Sequence, residues 1–453
     1  MMSPATQTGR SRRLKPWVSR AKLVIQHSFH SLVSPLLAAA ISAWVVRIHS
    51  PSLWGTFVDV LLVVQLGAHV LSFGHKDLLL RAFSTGATDD DPDAAVPQVF
   101  QGALATRTVT LLAPVAMALI LWSLWRAWPL SWLLLALAWL PAQMLAQSHD
   151  VVILFARRFT AGVVIETTAT FATLGGVILV GDDLTVLHLL GAFVFTAWGK
   201  ALLLTFGLAG VTGMPSPGNW RSWVGVARPR WLKVALPFFA MGLTGMLHSR
   251  GDLYVITALR PAHEVGQYQV LINLLIYFQA LANFVVLPFV QELYRMPVKA
   301  VRRVARGLAL GGLLLTGPVT FGLWLALRWI WHIELSQELM LVAASYVFVI
   351  WIFLPDVYTL YKMGRERSVL TLSAVSAASN FGLNLWLVPR YGMLGALASS
   401  AGVQWLAAAT CRVLVMRASR LGPVDLPEAD DADAPLDPVE AALQAAADLD
   451  AEA

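Results

Sequence analysis

Residues Leu133 to Leu140 read Leu-Leu-Leu-Ala-Leu-Ala-Trp-Leu, eight consecutive apolar side chains. A transmembrane β-strand would alternate apolar and polar residues, because its two faces meet lipid and lumen. An unbroken apolar run suits a helix, which satisfies its own backbone hydrogen bonds inside lipid. The stretch therefore predicts a membrane-buried helix and argues against a β-barrel.

The whole chain shares this apolar character. Its 453 residues are 57% hydrophobic and only 13% charged, with a mean hydropathy of +0.65, whereas soluble domains carry about 25% charged residues. A spanning helix needs about 20 apolar residues, and such segments recur from Ser28 to Met416. We count about twelve, centred near Ala39, Val64, Ala113, Ala138, Ala172, Thr196, Thr244, Leu275, Thr316, Val347, Ala377 and Gly402. The composition predicts an all-α integral membrane protein.

The positions of the basic residues predict its orientation. In the twelve-helix arrangement, 24 of the 33 Lys and Arg residues fall on one side and five on the other, and the remaining four lie within helices. Basic residues concentrate on the cytoplasmic side of membrane proteins. Both termini are therefore expected to be cytoplasmic, and the net charge of +6 requires no nucleic-acid partner.

The chain divides at a Pro- and Gly-rich stretch that separates six predicted helices from six. Two similar motifs support a duplication: Trp54-Gly55-Thr56-Phe57 and Val265-Gly266-Gln267-Tyr268, whose glycines are 211 residues apart. Transporters are often built from such repeats. We expect a basic cytoplasmic arm (1–27), a first six-helix lobe (28–212), a cytoplasmic linker (213–231), a second lobe (232–417) and an acidic disordered cytoplasmic tail (418–453).

With these motifs the sequence resembles the polysaccharide-export flippases, the Wzx-type translocases of O-antigen and exopolysaccharide, within the superfamily that includes MATE transporters and the lipid II flippase. The resemblance implies two six-helix, MATE-like lobes around a central cavity that alternates between the two membrane faces, and a lipid-linked glycan with a diphosphate as substrate. It is carried by Trp54 to Phe57 with Ser72-Phe73-Gly74 and Leu80-Arg81, by Asp252 to Ile256 with Glu264 to Tyr268 and Leu287-Pro288, and by Asn380, Asn384-Leu385, Val388 to Gly392 and Leu394-Gly395-Ala396.

Charged residues inside the predicted helices are the candidate site residues, because a charge at mid-bilayer costs roughly 2.5 to 3.5 kcal/mol and normally faces a cavity or a partner. Ion pairing between helices, or long side chains that reach the membrane surface, would also explain them. We predict phosphate binding by Arg250, Arg107 and Lys200, cation or proton coupling by Asp252, Glu166 and Asp59, and polar cavity contacts by His69, Gln279, Asn283, Asn380 and Asn384.

Two other functions remain open at this stage: a MATE-type cation-coupled antiporter of drugs or small molecules, and a non-transporting membrane partner of a glycan polymerase. The antiporter would favour a cavity rich in carboxylates. We expect a transporter of the cytoplasmic (inner) membrane and not an enzyme, with no cofactor or metal, coupled to H+, Na+ or the membrane potential. The expected partners are the lipid-linked glycan, membrane lipids and the glycan polymerase or chain-length machinery.

Overall fold

The computed structural model describes residues 37–421, except residues 77, 80–94, 157, 213–226, 228–229, 287–292 and 294–297. The predicted arm (1–27), most of the linker (213–231) and nearly all of the tail (418–453) lie outside the described residues. Within the described residues the chain forms long helices and no strand: α1 (Leu37–Ile48), α2 (Pro51–Ser72), α3 (Ala95–Trp125), α4 (Leu130–Phe155), α5 (Phe159–Val180), α6 (Val186–Gly207), α7 (Arg230–Leu259), α8 (Ala262–Val286), α9 (Val298–Trp329), α10 (Gln337–Lys362) and α11 (Glu366–Leu421).

The helices confirm the predicted fold class. Helix α11 bends at Gly392 into two helical arms, so each of the twelve predicted centres lies in its own helical segment. Seven of the described helices, α2 to α6, α9 and α10, are long and apolar enough to cross a membrane. Helices α7 and α8 are equally long, and they contain Arg250, Asp252, Asn273 and Gln279. The chain is therefore a multi-pass membrane protein.

The helices pack in two groups. Helices α2 to α6 contact one another mainly through the pairs α4–α6, α5–α6 and α2–α4, and helices α7 to α11 mainly through α10–α11, α7–α11 and α9–α10. Helix α2 connects the groups, because it packs extensively against α8 and also against α7. We call this boundary the seam, and we call its two ends outer and inner according to the predicted orientation.

At the outer end of the seam the two repeated glycines face each other. A Cβ atom added to Gly55 would lie 1.8 Å from the carbonyl oxygen of Ala262, and one added to Gly266 would lie 2.0 Å from that of Pro51. Each oxygen belongs to the residue four positions before the opposite glycine, so the contact is symmetric. Glycine allows two helix backbones to approach this closely. The motif that indicated a duplication thus forms the crossing of α2 and α8.

The inner end of the seam is formed by aromatic residues. Helix α2 ends in a left-handed turn at Phe73 and Gly74, with φ of 43° and 69°. The Phe73 ring stacks on Phe239 of α7, with centroids 4.3 Å apart. A Cβ atom at Gly74 would lie 2.6 Å from the backbone nitrogen of Phe239. Helix α2 therefore contacts the second group near both of its ends.

A second close glycine contact lies on the outer side, at the bend of α11. Arg260 donates to both carboxylate oxygens of Glu264, at 3.0 and 2.6 Å, and these hydrogen bonds raise the pKa of Arg260. A Cβ atom at Gly392 would lie 2.6 Å from Glu264 Oε2. Gly392 also has a φ of 56°, which side chains disfavour.

Gly392→Ala is therefore expected to lower the free energy of unfolding by about 1 to 2 kcal/mol, since it combines a disfavoured backbone conformation with a steric clash. A thermal melt of the purified protein measures this loss. Gly382→Ala is the matched control in the same helix, because no atom of the described residues lies within 4 Å of its added Cβ. Equal melting temperatures for the two variants would contradict the expectation.

Candidate transport site

Arg107 is the most deeply buried of the predicted phosphate ligands, with 3% of its surface exposed. Its Nη2 donates to Ser148 Oγ of α4 at 2.7 Å, its Nε donates to the carbonyl of Ala103 at 3.2 Å, and its Nη1 lies 3.5 Å from the carbonyl of Leu71. No ion pair joins Arg107 to a carboxylate among the described residues. Its positive charge is thus held there by neutral groups.

Arg107 lies at the inner end of the seam. A cavity of about 20 Å³ separates Arg107 and His75 from Trp231 and Ala235 of α7. The Nε2 atom of His75 is buried and has no hydrogen-bond partner among the described residues. Movement of α7 away from α2 and α3 would bring Arg107 into contact with the inner side.

Arg250 lies further along the seam, on α7, and is partly buried. Its Nη1 donates to Asn273 Oδ1 of α8 at 2.5 Å. Tyr254, one turn later on the same face of α7, donates to the carbonyl of Leu62 in α2 at 3.3 Å. Arg250 is therefore close to the seam, and no ion pair joins it to a carboxylate among the described residues.

Asp252 is the centre of a polar network inside the second helix group and is only 2% exposed. Its Oδ2 accepts from the Tyr268 hydroxyl of α8 at 2.5 Å and from Ser400 Oγ of α11 at 2.9 Å. Its Oδ1 accepts from the backbone N–H of Leu253 at 2.7 Å. Neutral donors thus hold a buried carboxyl group where three helices meet.

Asn380 and Asn384 extend this network along α11. The Oδ1 of Asn380 accepts from Asn384 Nδ2 at 2.8 Å, from Ser399 Oγ at 3.1 Å and from Ser400 Oγ at 3.3 Å. Its Nδ2 donates to the carbonyl of His248 at 3.4 Å. The structure therefore brings together three of the predicted residues: Asp252, Asn380 and Asn384.

Lys200 and Glu166 lie away from this network, in the first helix group. Lys200 Nζ is 2.5 Å from Glu166 Oε2, so the two residues join α6 to α5 as an ion pair. On the neighbouring turns Thr173 donates to Thr196 at 2.8 Å across the same two helices. In this structure the charge of Lys200 faces a carboxylate, and its assignment to phosphate stays a prediction.

Asp59 also pairs within the first group. Its Oδ2 accepts from Arg126 Nε at 3.2 Å and from Trp128 Nε1 at 3.0 Å. Both partners lie in or next to the outer turn between α3 and α4. This arrangement fixes the turn against α2, and a coupling role for Asp59 stays a prediction.

The remaining predicted residues are dispersed. His69 of α2 packs at the seam, where a Cβ atom at Gly242 would lie 3.2 Å from its ring. Gln279 Nε2 donates to the carbonyl of Tyr346 at 2.8 Å and to Gln404 Oε1 at 2.9 Å, within the second group. The side chain of Asn283 lies outside the described residues.

Three residues of the site were missed by sequence analysis: Tyr268, Asn273 and Ser400. Tyr268 belongs to the quoted glycine motif, which indicated only an internal repeat. Ser400 is 148 residues from Asp252, and nothing in its local sequence marks it. Asn273 could have been found as a polar residue within an apolar helix.

The fold of the described residues is similar to that of solved membrane transporters. No family model and no curated protein matches the chain. A multidrug resistance MATE family transporter in an inward-facing conformation is similar, with 11% identity over 89% of this chain and 100% of that chain and a TM-score of 0.58.

Two further solved membrane transporters are also similar in fold. The lipid II flippase MurJ, in an inward closed conformation, has 13% identity over 86% of this chain and 87% of that chain, with a TM-score of 0.60. A MATE family transporter in an outward-facing conformation has 13% identity over 89% and 96% of the two chains, with a TM-score of 0.53. At these identities the similarity shows the fold, and the substrate must be argued from the residues.

Proposed function

We propose that the protein moves a polyprenyl-diphosphate-linked oligosaccharide from the cytoplasmic to the outer leaflet of the cytoplasmic membrane by alternating access. The observation that carries this proposal is the kind of hydrogen-bond partner that the two arginines at the seam have. Arg107 and Arg250 are both held by neutral hydrogen-bond acceptors, whereas Lys200 faces Glu166. An arginine that forms no ion pair with a carboxylate among the described residues can accept an anionic ligand in a low-dielectric site.

The two arginines would bind the diphosphate in sequence along α2. Arg107 lies beside Leu71, and Tyr254, one turn of α7 beyond Arg250, lies beside Leu62. At 1.5 Å per residue these two levels of α2 are about 13 Å apart. Because a guanidinium binds phosphate oxygens in a bidentate way, the diphosphate would contact Arg107 first from the inner side and Arg250 next.

Alternating access would use the two contacts of α2. The outer contact consists of Gly55 and Gly266, and the inner contact stacks Phe73 on Phe239. Breaking the inner contact would expose Arg107 to the cytoplasmic leaflet, whereas breaking the outer contact would expose the passage to the opposite side. Opening one contact at a time prevents a continuous leak.

The Asp252 network is the proposed coupling site. Oxygen atoms of Asp252, Asn380 and Ser400 converge there, and oxygen ligands suit a hard cation such as Na+. Protonation of the Asp252 carboxyl would serve equally for coupling to H+. Arg250 lies two residues before Asp252 in α7. A change of charge at Asp252 would therefore alter the electrostatic environment of Arg250 in the substrate site.

Reconstitution tests the function directly. Purified protein in proteoliposomes is expected to move a labelled polyprenyl-diphosphate oligosaccharide between leaflets, and to leave a labelled polyprenol without the diphosphate in place. Export of a cationic dye without movement of the glycan lipid would favour the drug antiporter. Movement of neither compound, with a working control transporter, would favour the partner of a glycan polymerase.

Arg107→Gln is expected to reduce glycan-lipid movement by about tenfold or more, because a charge-assisted hydrogen bond to phosphate contributes about 1.5 to 3 kcal/mol. The measurement is the initial rate of flipping in the same vesicles. Arg158→Gln, an exposed arginine near the inner end of α5, is the matched control and should keep the normal rate. Equal rates for Arg107→Gln and the unaltered protein would remove Arg107 from the site.

A further inference from the structure

A cavity lies away from the seam, between the two arms of α11. Its volume is about 430 Å³. Small side chains on the facing arms leave this space, among them Ser376, Ser379, Ala407 and Thr410. Behind it, Cys411 and Val369 pack in a buried cluster with Leu360 of α10. The space is therefore a groove with a closed floor; we call it the α11 groove.

The α11 groove opens on an apolar surface. Val375 and Leu406 line it and are 57% and 63% exposed. In a membrane-spanning helix, exposed aliphatic side chains of this kind meet lipid chains. The groove thus opens toward the hydrocarbon of the bilayer.

The length of the groove matches one leaflet. It extends from Arg367 at the inner end to Ser379, which is twelve residues or about 18 Å of helix. Half of the hydrocarbon core is about 15 Å thick. The groove therefore begins at the depth of the inner phosphates and ends near the middle of the bilayer.

The charge at the inner end selects the head group. Arg367 lines the groove, and Lys362, Arg365 and Glu366 lie just before it in the chain, so this end has a net positive charge. Arginine binds phosphate oxygens through several N–H donors at once, and basic clusters at the inner surface attract anionic lipids. The apolar channel and the basic end together fit one phospholipid molecule.

We propose that the α11 groove binds an anionic phospholipid of the cytoplasmic leaflet, with one acyl chain between the arms and the phosphate on Arg367. An acyl chain that spans one leaflet fits this groove, whereas a polyprenyl chain would extend well beyond its end. The distal end of the groove, at Ser379, adjoins Asn380 of the polar network. The lipid would therefore hold the two arms at a fixed separation around Asp252, and this inference does not depend on the substrate that the protein transports.

Native mass spectrometry of the full-length protein tests the proposal, with phosphatidylglycerol, phosphatidylcholine and a polyprenyl phosphate as probes. The protein is expected to retain one phosphatidylglycerol, preferred over phosphatidylcholine by about tenfold, because the basic residues at the inner end attract its net negative charge by about 1 kcal/mol each, whereas the choline cation of phosphatidylcholine cancels the charge of its phosphate. Thr410→Phe, which fills the groove, should lose this molecule. Arg367→Gln should keep a bound lipid and lose the preference for phosphatidylglycerol.

Arg303→Gln is the matched control, because Arg303 is an exposed arginine of α9 that does not line the groove. It should keep both the bound lipid and the preference, and size-exclusion chromatography verifies that every variant is folded. Retention of the lipid by Thr410→Phe would overturn the location. Equal losses in Arg367→Gln and Arg303→Gln would overturn the head-group contact, and selective retention of polyprenyl phosphate would overturn the phospholipid.

Discussion

Replacing Gly55 with valine is expected to abolish transport while leaving the protein inserted in the membrane. The added Cβ would lie 1.8 Å from the carbonyl oxygen of Ala262 and 2.8 Å from the backbone nitrogen of Gly266. Both atoms belong to helix backbone, so no side-chain rotation relieves the clash. Helices α2 and α8 must separate at the outer end, and a transporter that cannot close this end cannot complete its cycle.

Flipping assays and cysteine labelling measure the two parts of this prediction. Gln269 of α8 is buried at the outer end of the seam, where it accepts from Trp54 Nε1 of α2 at 2.7 Å. In a Cys411→Ala background, a cysteine in place of Gln269 reports whether this end is open. Gly55→Val is expected to raise its labelling by a membrane-impermeant maleimide about tenfold, which corresponds to a shift of about 1.4 kcal/mol in the open population. Normal flipping by Gly55→Val would contradict the role of the crossing.

Gly175→Val is the matched control for Gly55→Val. Gly175 lies in α5, and no atom is within 4 Å of its added Cβ. The same change of residue there should preserve both flipping and the low labelling at position 269. If Gly175→Val also stops transport, the effect of valine would come from weaker helix formation, and the steric argument would fail.

The elements of the fold could be predicted from sequence because lipid enforces a local rule. Each span must be apolar over about 20 residues and must satisfy its own backbone hydrogen bonds. The centres of twelve spans, from Ala39 to Gly402, could therefore be assigned without tertiary information. The glycine motifs also indicated an internal repeat. Their direct contact across the seam could not be predicted, because it depends on how the two halves are docked.

The charged residues of the site could be predicted, but their partners could not. The cost of burying charge singled out Arg107, Lys200 and Asp252. Whether such a group meets a ligand or a neighbour depends on contacts between residues distant in sequence, such as the 41 residues between Arg107 and Ser148. The pairing of Lys200 with Glu166 also depends on a contact between residues distant in sequence. From the sequence alone, an ion pair and a ligand contact were therefore both open for Lys200.

The Asp252 network shows a further limit of sequence reasoning. A hydroxyl group in a membrane helix has a low free-energy cost, because it can donate to a backbone carbonyl of the preceding turn, as Thr257 does to Leu253. A lone serine such as Ser400 therefore carries no signal. Only the packing of α7, α8 and α11 shows that its hydroxyl is bonded to Asp252.

Asp252→Asn is expected to remove the dependence of transport on an ion gradient. The amide keeps the size of the side chain and much of its bonding to Tyr268 and Ser400, but it carries no charge to exchange for Na+ or H+. In proteoliposomes, the unaltered protein should flip the glycan lipid faster by about tenfold or more when the coupling gradient is imposed, because 100 mV of membrane potential corresponds to about 2.3 kcal/mol per elementary charge. The variant should flip at the gradient-free rate in every condition.

Asp356→Asn is the control that distinguishes a coupling role of Asp252 from the general effect of removing a buried charge. Asp356 is also buried in the second helix group, yet it pairs with Arg412 at 2.9 Å, near the inner end of α10 and away from the network. Its variant should remain sensitive to the gradient even if its melting temperature falls. Because both substitutions remove one carboxylate from the same group of helices, only the position of Asp252 among Asn380, Ser400 and Tyr268 explains a selective loss of coupling. A gradient response that survives in Asp252→Asn would place the coupling ion elsewhere, with Glu166 and Asp59 as the next residues to substitute.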